Sequence, residues 1–166
     1  MSAYELAQLN IGIIRGPMDS PVMAEFAANL ARINALADAA AGFVWRLQTE
    51  TGDATALRPF DDPNTLLNMS VWRDLESLRQ YVYASAHLEI MRRRREWFAR
   101  IDEAYLVLWW VARGHRPSIA EALERLAALR ARGAHSEAFT FRAHYPPPDA
   151  DQGEAPGAIG AECPAL

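Results

Sequence analysis

The strongest constraint on the fold is an alternation of apolar and polar side chains with the two-residue period of a β-strand. Residues 4–14 show it most clearly, because Ala7, Leu9, Ile11 and Ile13 are apolar and the positions between them, Gln8, Asn10 and Gly12, are polar or glycine. Residues 42–50 and 65–72 repeat the pattern, and the apolar run YLVLWWV at 105–111 has the length of a buried strand. The sequence therefore predicts four strands.

Apolar residues with helical spacing occur between the first and second strands and between the third and fourth. Apolar residues recur with helical spacing from about residue 21 to Ala39. After the third strand, Asp74 predicts the start of a short helix, and a longer amphipathic helix is expected over residues 86–101. The resulting order βαββαβ predicts an α+β, ferredoxin-like fold, in which helices cover one face of a four-stranded antiparallel sheet.

The C-terminal part extends this unit. Ser118 and Glu121 have the spacing of a capping box and Gly133 is a typical helix stop, so an extra helix is expected between them. The segment EAFTFRAHY at 137–145 predicts an edge strand. Residues 1–145 are thus expected to form one domain, and residues 146–166, rich in Pro, Gly and Ala, a mobile tail.

Composition argues against several classes of protein. The formal net charge of −4 disfavours a nucleic-acid binder, because phosphate binding requires a predominantly basic surface. No apolar stretch is long enough for a membrane span, and the N-terminus lacks the basic region of a signal peptide. Cys163 is the only cysteine, so an intramolecular disulfide is impossible and a cytoplasmic location is expected. No metal-ligand spacing occurs, so the sequence predicts no metal site.

Four consecutive arginines, Arg92 to Arg95, raise the question of which one points inward. Successive helical residues rotate by roughly 100°, so four neighbours cannot share one face. On an ideal helix Arg94 lies at the centre of the apolar face, on nearly the same line as His87. Because a buried guanidinium needs a partner, Arg94 either pairs internally, with Glu25, Asp38 or free carbonyl groups, or receives an anionic ligand in a cavity. A shifted helix register, which would place Arg94 on another face, is the third alternative.

His87 and the tryptophans also allow two interpretations each. A histidine on an apolar face is commonly a core residue, but its titration near neutral pH also suits it for moving a proton or for binding haem iron. Five tryptophans occur in the chain. They either fill the core or line a flat aromatic pocket, in which case Trp45 and Trp97 would be joined by one of Trp109 and Trp110.

Polar side chains share one face of three predicted strands. Such a face suits either a wet dimer interface or the lining of a cavity. We favour the interface, because helices on one side of the sheet leave the other side to be covered. The residues concerned are Gln8, Asn10, Arg46, Gln48, Asn68 and Ser70.

The chain resembles the bacterial family of domain of unknown function 3291 in six segments that follow one another in the same order. They are ELAQLNIG, AGFVWRLQTE, NMSVW, LRQYVYASAHLEIMRRRREWF, YLVLWWVARGHRPSIAEALERL and AFTFR. The resemblance covers about residues 3–145. It implies membership of the dimeric α/β-barrel superfamily, beside the antibiotic-biosynthesis monooxygenases, and hence a homodimer whose sheets join into a barrel.

The resemblance implies several activities, because that superfamily includes cofactor-independent oxygenases, cyclases and isomerases of aromatic compounds, and haem-degrading oxygenases. The haem-degrading members carry an asparagine on the first strand, a tryptophan that ends the third strand and a histidine on the second helix. Asn10, Trp72 and His87 stand in similar places. Haem is therefore an alternative to a reaction without any added cofactor.

The leading hypothesis is a monooxygenase- or isomerase-like protein that binds a small, flat, anionic organic molecule between residues 86–101 and the sheet. His87 would move a proton, and Arg94 would hold an enolate, phenolate or carboxylate. The alternatives are a non-catalytic module that holds haem or a metabolite, a haem-degrading oxygenase, and a purely structural role for both residues. The expected ligand-binding residues are Asn10, Trp45, Trp72, Tyr83, Met91, Trp97 and Trp109.

Overall fold

A single antiparallel sheet with the strand order β2-β3-β1-β4 forms the centre of the molecule, as the computed structural model shows. The model describes residues 2–48 and 60–150. The chain order is β1 (Tyr4–Ile13), α1 (Ala24–Asp38), β2 (Phe43–Arg46), β3 (Thr65–Trp72), α2 (Leu75–Val82), α3 (Ser85–Arg92), α4 (Arg94–Trp97), β4 (Leu106–Ala112) and α5 (Ile119–Arg132). The predicted α+β, ferredoxin-like fold is confirmed.

Strand register assigns each alternating residue to a face of the sheet. Gln8 of β1 lies opposite Ser70 of β3 and Leu108 of β4, so these three side chains share one face. The next residue, Ala7, lies opposite Val71 and Trp109 on the other face. We call these two surfaces the Gln8 face and the Ala7 face.

Helices cover both faces, and they do so with different chemistry. The Ala7 face is apolar, and α5 packs Ala122, Leu126 and Leu129 against it in one hydrophobic cluster. The helices α1, α2 and α3 lie over the Gln8 face, where polar strand residues meet apolar helix residues around a cavity. The two helical segments of the βαββαβ unit therefore share one face, and the extra C-terminal helix occupies the opposite one. Of the described helices, none is long and apolar enough to cross a membrane.

Two predicted helix starts are confirmed by their caps. The Asp74 carboxylate accepts a hydrogen bond from the Ser77 backbone N–H at 2.7 Å, and α2 begins at the next residue. The Ser118 hydroxyl accepts one from the Glu121 N–H at 3.1 Å before α5. Each cap satisfies a backbone donor that the first turn of the helix leaves free.

The continuous helix expected over residues 86–101 is wrong, because the chain breaks at Arg93 into α3 and the single turn α4. Phe98 then adopts extended angles, φ −118° and ψ 140°. Hydrogen bonds to the end of β1 fix the residues at which α4 ends: the Ala99 N–H donates to the Ile13 carbonyl at 2.7 Å, and the Trp97 carbonyl accepts from Arg15 N–H at 2.8 Å. The chain is thereby drawn to the edge of the sheet.

The expected edge strand at 137–145 is reduced to an isolated bridge. Phe139 and Leu108 exchange two backbone hydrogen bonds, each of 2.8 Å, beside β4. The pairing goes no further, because Thr140 N–H turns back to the Ala143 carbonyl. Beyond it, Asp149 accepts hydrogen bonds from Ser2 Oγ and from the Ala3 N–H at 2.7 and 2.6 Å. The remainder of the predicted tail, residues 151–166, lies outside the described residues.

We expect Gly42→Ala to destabilise the protein by about 2–3 kcal/mol. Gly42 has φ +83°, and a Cβ built on it would lie 2.2 Å from the Ser77 Oγ and 2.5 Å from the Ser77 Cβ. Gly114→Ala is the matched control, because Gly114 has φ +86° with no atom within 4 Å of the added carbon. It should cost only about 1 kcal/mol. Urea unfolding measures both, and equal costs would contradict the expected clash with Ser77.

Candidate active site

A cavity of about 100 Å³ lies between the Gln8 face and the helices α1, α2 and α3. For scale, an engineered apolar cavity of roughly 150 Å³ in another protein holds one benzene molecule. The helices contribute mainly apolar walls, whereas the strands contribute a polar floor. Six of the lining residues carry polar groups that the site can use: Gln8, Asn10, Arg46, Asn68, Ser70 and His87.

The floor is a connected set of hydrogen bonds. The Gln8 amide nitrogen donates to Asn68 Oδ1 at 2.7 Å and to Ser70 Oγ at 3.0 Å. Gln8 Oε1 accepts from Asn10 Nδ2 at 3.2 Å, and Ser70 Oγ also accepts from Trp72 Nε1 at 2.8 Å. The network fixes the orientation of each amide, which leaves one N–H of Asn10 and the Asn68 amide nitrogen as donors not used within it.

His87 forms part of the cavity wall, and its side chain is buried, with 2% of the residue exposed. Its Nδ1 lies 2.9 Å from the Val82 carbonyl oxygen, which can only accept, so Nδ1 carries the proton. The Nε2 atom then holds a lone pair, and no residue in the described part of the chain donates to it. Burial lowers the pKa of His87, and the bond to Val82 opposes this shift. The imidazole is therefore a neutral, positioned proton acceptor at pH 7.

An aromatic stack adjoins His87. Trp72 stacks on Tyr81 with ring centroids 5.0 Å apart, and Tyr81 meets the His87 ring at 4.7 Å. The Tyr81 hydroxyl donates to the Ile33 carbonyl at 3.4 Å, and burial raises the pKa of Tyr81. A neutral phenol and an indole thus form an aromatic part of the cavity wall beside His87.

Arg94 lies in a different hollow. It borders an open groove of about 1080 Å³, which shares only the side chains of Phe98, Leu106 and Phe141 with the cavity that contains His87. The break at Arg93 separates the two, because it ends the helical line on which both residues were expected. The single pocket predicted for His87 and Arg94 is therefore divided into two sites.

The proposed carboxylate partners of Arg94 are engaged elsewhere. Glu25 binds Arg93, and Asp38 binds Arg46 through two hydrogen bonds of 2.8 and 3.2 Å. The Arg94 guanidinium carbon instead lies 5.0 Å from the Tyr105 ring centroid and 5.4 Å from that of Phe98. Burial lowers the pKa of Arg94.

The other predicted ligand-binding residues are dispersed. Asn10 and Trp72 line the cavity with His87, whereas Met91 lines the Arg94 groove. Trp97 is buried against Phe26, with ring centroids 5.7 Å apart. The remaining three lie away from the cavity: Trp45 and Trp109 are on the Ala7 face, and Tyr83 is exposed.

The polar floor was predicted as a group of side chains, but the favoured role, a dimer interface, is not the one the structure gives it. Five of the six residues lie beneath helices of the same chain and line the cavity, which was the alternative role. The available signal was the shared polar parity on three strands. Parity shows which side chains lie together, but it does not show which face of the sheet the helices cover. The five residues are Gln8, Asn10, Arg46, Asn68 and Ser70.

We expect His87 to make the protein less stable as the pH falls from about 7.5 to about 5.5. Its pKa in the folded state lies below the ordinary 6.5, because burial disfavours the imidazolium. The unfolded chain therefore binds the proton first, and stability is lost from the unfolded pKa downwards. Urea unfolding of wild type and His87→Gln at both pH values should show a smaller loss in the variant. Equal losses in the free energy of unfolding of the two proteins would contradict a lowered pKa for His87.

A family model described as "Domain of unknown function (DUF3291)" matches residues 5–155. No curated protein matches the chain with significance.

Solved structures give three further likenesses. SnoaB from Streptomyces nogalater, described as a cofactor-independent oxygenase, is 24% identical over 70% of this chain and 100% of its own, with a TM-score of 0.48. NE2512 from Nitrosomonas europaea, of unknown function, is 14% identical over 70% and 95%, with a TM-score of 0.44. A protein from Chloroflexus aurantiacus J-10-fl, provisionally described as an antibiotic biosynthesis monooxygenase, is 14% identical over 69% and 98%, also with a TM-score of 0.44.

Proposed function

This chain belongs to the family described as domain of unknown function 3291, and we propose that it binds a small, flat organic molecule with an acidic C–H bond and moves a proton on it. The observation that carries the proposal is the buried Nε2 of His87, which is deprotonated and unpartnered among the described residues, on a side chain that lines the cavity. A buried acceptor without a partner costs free energy in a purely structural role. An acidic proton of a bound substrate would give the Nε2 lone pair of His87 its partner.

The reaction follows from the two sides of the cavity. His87 Nε2 takes the proton from a carbon next to a carbonyl group, the electron pair of the C–H bond forms a C=C bond, and the π pair of the carbonyl moves to its oxygen to give an enolate. The amide N–H groups of Asn10 and Asn68 supply hydrogen bonds for that oxygen. Return of the proton from the imidazolium to the oxygen completes a keto–enol isomerisation.

The carbanion formed by this proton abstraction can also be oxygenated. If molecular oxygen meets the carbanion, a CH₂ group and one O₂ give a C=O group and one water, which balances without a reductant. Such a reaction requires the same base and the same hydrogen-bond donors, so the cavity serves both outcomes. An added cofactor is not needed for either.

Haem fits the cavity poorly, although His87 Nε2 is an atom that could bind iron. The cavity of about 100 Å³ has the scale of a single ring, and a porphyrin contains four linked rings. A haem titration provides the check: a Soret shift that is lost in His87→Gln would contradict the organic-substrate proposal.

Binding of phenylpyruvate tests the proposal directly, because this molecule is flat and carries a CH₂ group between a ring and a carbonyl. We expect the ¹⁵N resonance of His87 Nε2 to lie at the position of an unprotonated imidazole nitrogen and to move on titration. The signals of His135, which is not in the cavity lining, should stay in place. Binding without any proton exchange would favour a non-catalytic metabolite-binding module.

We also propose a homodimer, as the family resemblance implies. Light scattering coupled to size-exclusion chromatography would give twice the chain mass of 18.5 kDa. A monomer at micromolar concentration would contradict it.

A further inference from the structure

We propose that the groove beside Arg94 is a second binding site, for a phosphorylated molecule that carries two or more negative charges. We call it the arginine groove. It is separate from the cavity of His87, and the proposal does not depend on the function proposed for that cavity.

The charge of the groove is the first reason. Its lining includes six arginines and, among the described residues, no aspartate or glutamate. This concentration stands out in a chain with a formal net charge of −4. A concave surface lined by one sign of charge raises the local concentration of counter-ions. The arginines are Arg15, Arg92, Arg94, Arg95, Arg100 and Arg142.

Nearby acidic groups do not neutralise the groove from outside. Glu25 and Glu96 both bind Arg93, which does not belong to the lining. Glu103 binds Arg130 on α5. Of the lining arginines, Arg100 forms an exposed ion pair with Asp102, and Arg142 also has an interaction partner. Exposed pairs of this kind are screened and weak, so the groove keeps its positive character.

Arg94 is the second reason, because its Nε and NH2 atoms are buried without a hydrogen-bond partner in the described part of the chain. Two other arginines show what the guanidinium edge formed by Nε and NH2 binds. Arg46 uses Nε and NH2 to hold both carboxylate oxygens of Asp38, and Arg93 uses the same pair for Glu96 at 3.0 and 2.7 Å. The matching edge of Arg94 is therefore a two-donor fork suited to a two-oxygen anion.

The position of Arg94 favours a ligand that enters from the groove. Its guanidinium lies over the rings of Tyr105 and Phe98, both of which also line the groove. These rings hold the cation in place without using its N–H groups. To bind the anion, the guanidinium slides along the ring faces until the Nε and NH2 edge reaches the groove.

Phosphate is favoured over a carboxylate for reasons of charge and shape. The two N–H donors of one guanidinium are sufficient for the two oxygens of a carboxylate. Several arginines around one groove instead match the larger number of oxygens and the higher charge of a phosphate group. The apolar part of the same lining, Met91, Ile101, Tyr105 and Phe141, suits an organic portion attached to the phosphate.

Titration calorimetry with inorganic pyrophosphate tests the proposal at low ionic strength, with acetate as the carboxylate probe. We expect pyrophosphate to bind, its affinity to fall as salt is added, and acetate to bind at least tenfold more weakly. Arg94→Met, which keeps much of the apolar stem, should lower pyrophosphate affinity at least tenfold. Arg32→Met is the matched control: Arg32 is exposed on α1 and outside the groove lining, so its loss of charge should change affinity less than twofold.

Stability separates a binding role from a structural one. Since Arg94→Met removes a desolvated charge without a hydrogen-bond partner, we expect its Tm to be unchanged or higher. A structural role predicts a lower Tm. If Arg94→Met does not fold, the structural role is supported and the proposal is overturned.

The groove rim gives an independent check. The double substitution Arg92→Met and Arg95→Met alters two exposed side chains, so folding should be retained while pyrophosphate affinity and its salt dependence both decrease. Equal affinity losses in Arg94→Met and Arg32→Met, or acetate binding as tight as that of pyrophosphate, would overturn the assignment. His87→Gln should bind pyrophosphate as wild type does, which distinguishes this site from the cavity.

Discussion

Replacement of His87 by glutamine is expected to slow deuterium exchange into the CH₂ group of phenylpyruvate by about 10²–10⁴-fold, the usual contribution of a positioned general base. Glutamine has a similar size, and its amide can still donate to the Val82 carbonyl that now holds Nδ1. It has no nitrogen that takes a proton near neutral pH. The loss would therefore come from chemistry and not from a collapsed cavity. Proton NMR in D₂O measures the exchange.

The best control for this substitution is another histidine of the same chain. His135 also holds its Nδ1 at 2.9 Å from a backbone carbonyl, that of Gly133, and its Nε2 is also unpartnered among the described residues. It does not belong to the cavity lining. His135→Gln should leave the exchange rate unchanged. Similar rates in wild type and His87→Gln would remove the base from the mechanism.

The same measurement has a defined pH dependence. Only the neutral imidazole accepts a proton, and burial lowers the pKa of His87 below its ordinary 6.5. The exchange rate should therefore rise with pH, with the midpoint of the rise below the ordinary pKa of 6.5. A plateau reached only well above neutrality would assign the base to a different group.

Truncation of Trp72 is expected to cause the largest loss of stability, about 3–5 kcal/mol for Trp72→Ala. The residue is 1% exposed and ends β3 between the cavity and the hydrophobic cluster of α2. Its ring packs on Tyr81 and meets the Phe43 ring edge-on at 5.5 Å. The substitution removes these contacts and leaves a void that the surrounding strands cannot close.

A second substitution separates packing from hydrogen bonding at this position. Trp72→Phe keeps most of the apolar contact but removes the indole N–H that donates to Ser70 Oγ. We expect it to cost about 1–2 kcal/mol. Urea unfolding followed by circular dichroism measures both variants. A cost below about 1 kcal/mol for Trp72→Ala would show that the ring does not hold α2 against the sheet.

Local patterns in the sequence were sufficient for the scaffold. Alternation located three strands and a continuous apolar run located the fourth, and their order with the helices predicted the observed sheet. The caps at Asp74 and Ser118 were also predictable, because a side-chain oxygen that accepts a backbone N–H acts within three residues.

The extent of the Arg94 helix was not predictable from the sequence. The amphipathic pattern of residues 86–101 favours one helix, and on that helix Arg94 faces inward beside His87. In the structure the helix breaks at Arg93 and its last turn ends at Trp97, where the Trp97 carbonyl accepts from Arg15 N–H and the Ala99 N–H donates to the Ile13 carbonyl. Those bonds join segments more than 80 residues apart, so no local window of sequence contains them.

The sequence by itself determined which residues lie side by side. Strand parity grouped Gln8, Asn10, Asn68 and Ser70, and helical spacing placed Arg94 on the apolar face of its helix. Only the tertiary structure decided that α1 to α3 cover the polar face, and that His87 and Arg94 line different hollows. The physical reason is that periodicity depends on backbone geometry alone. The side of a sheet that a helix covers, and the point at which the helix stops, depend on contacts between distant segments.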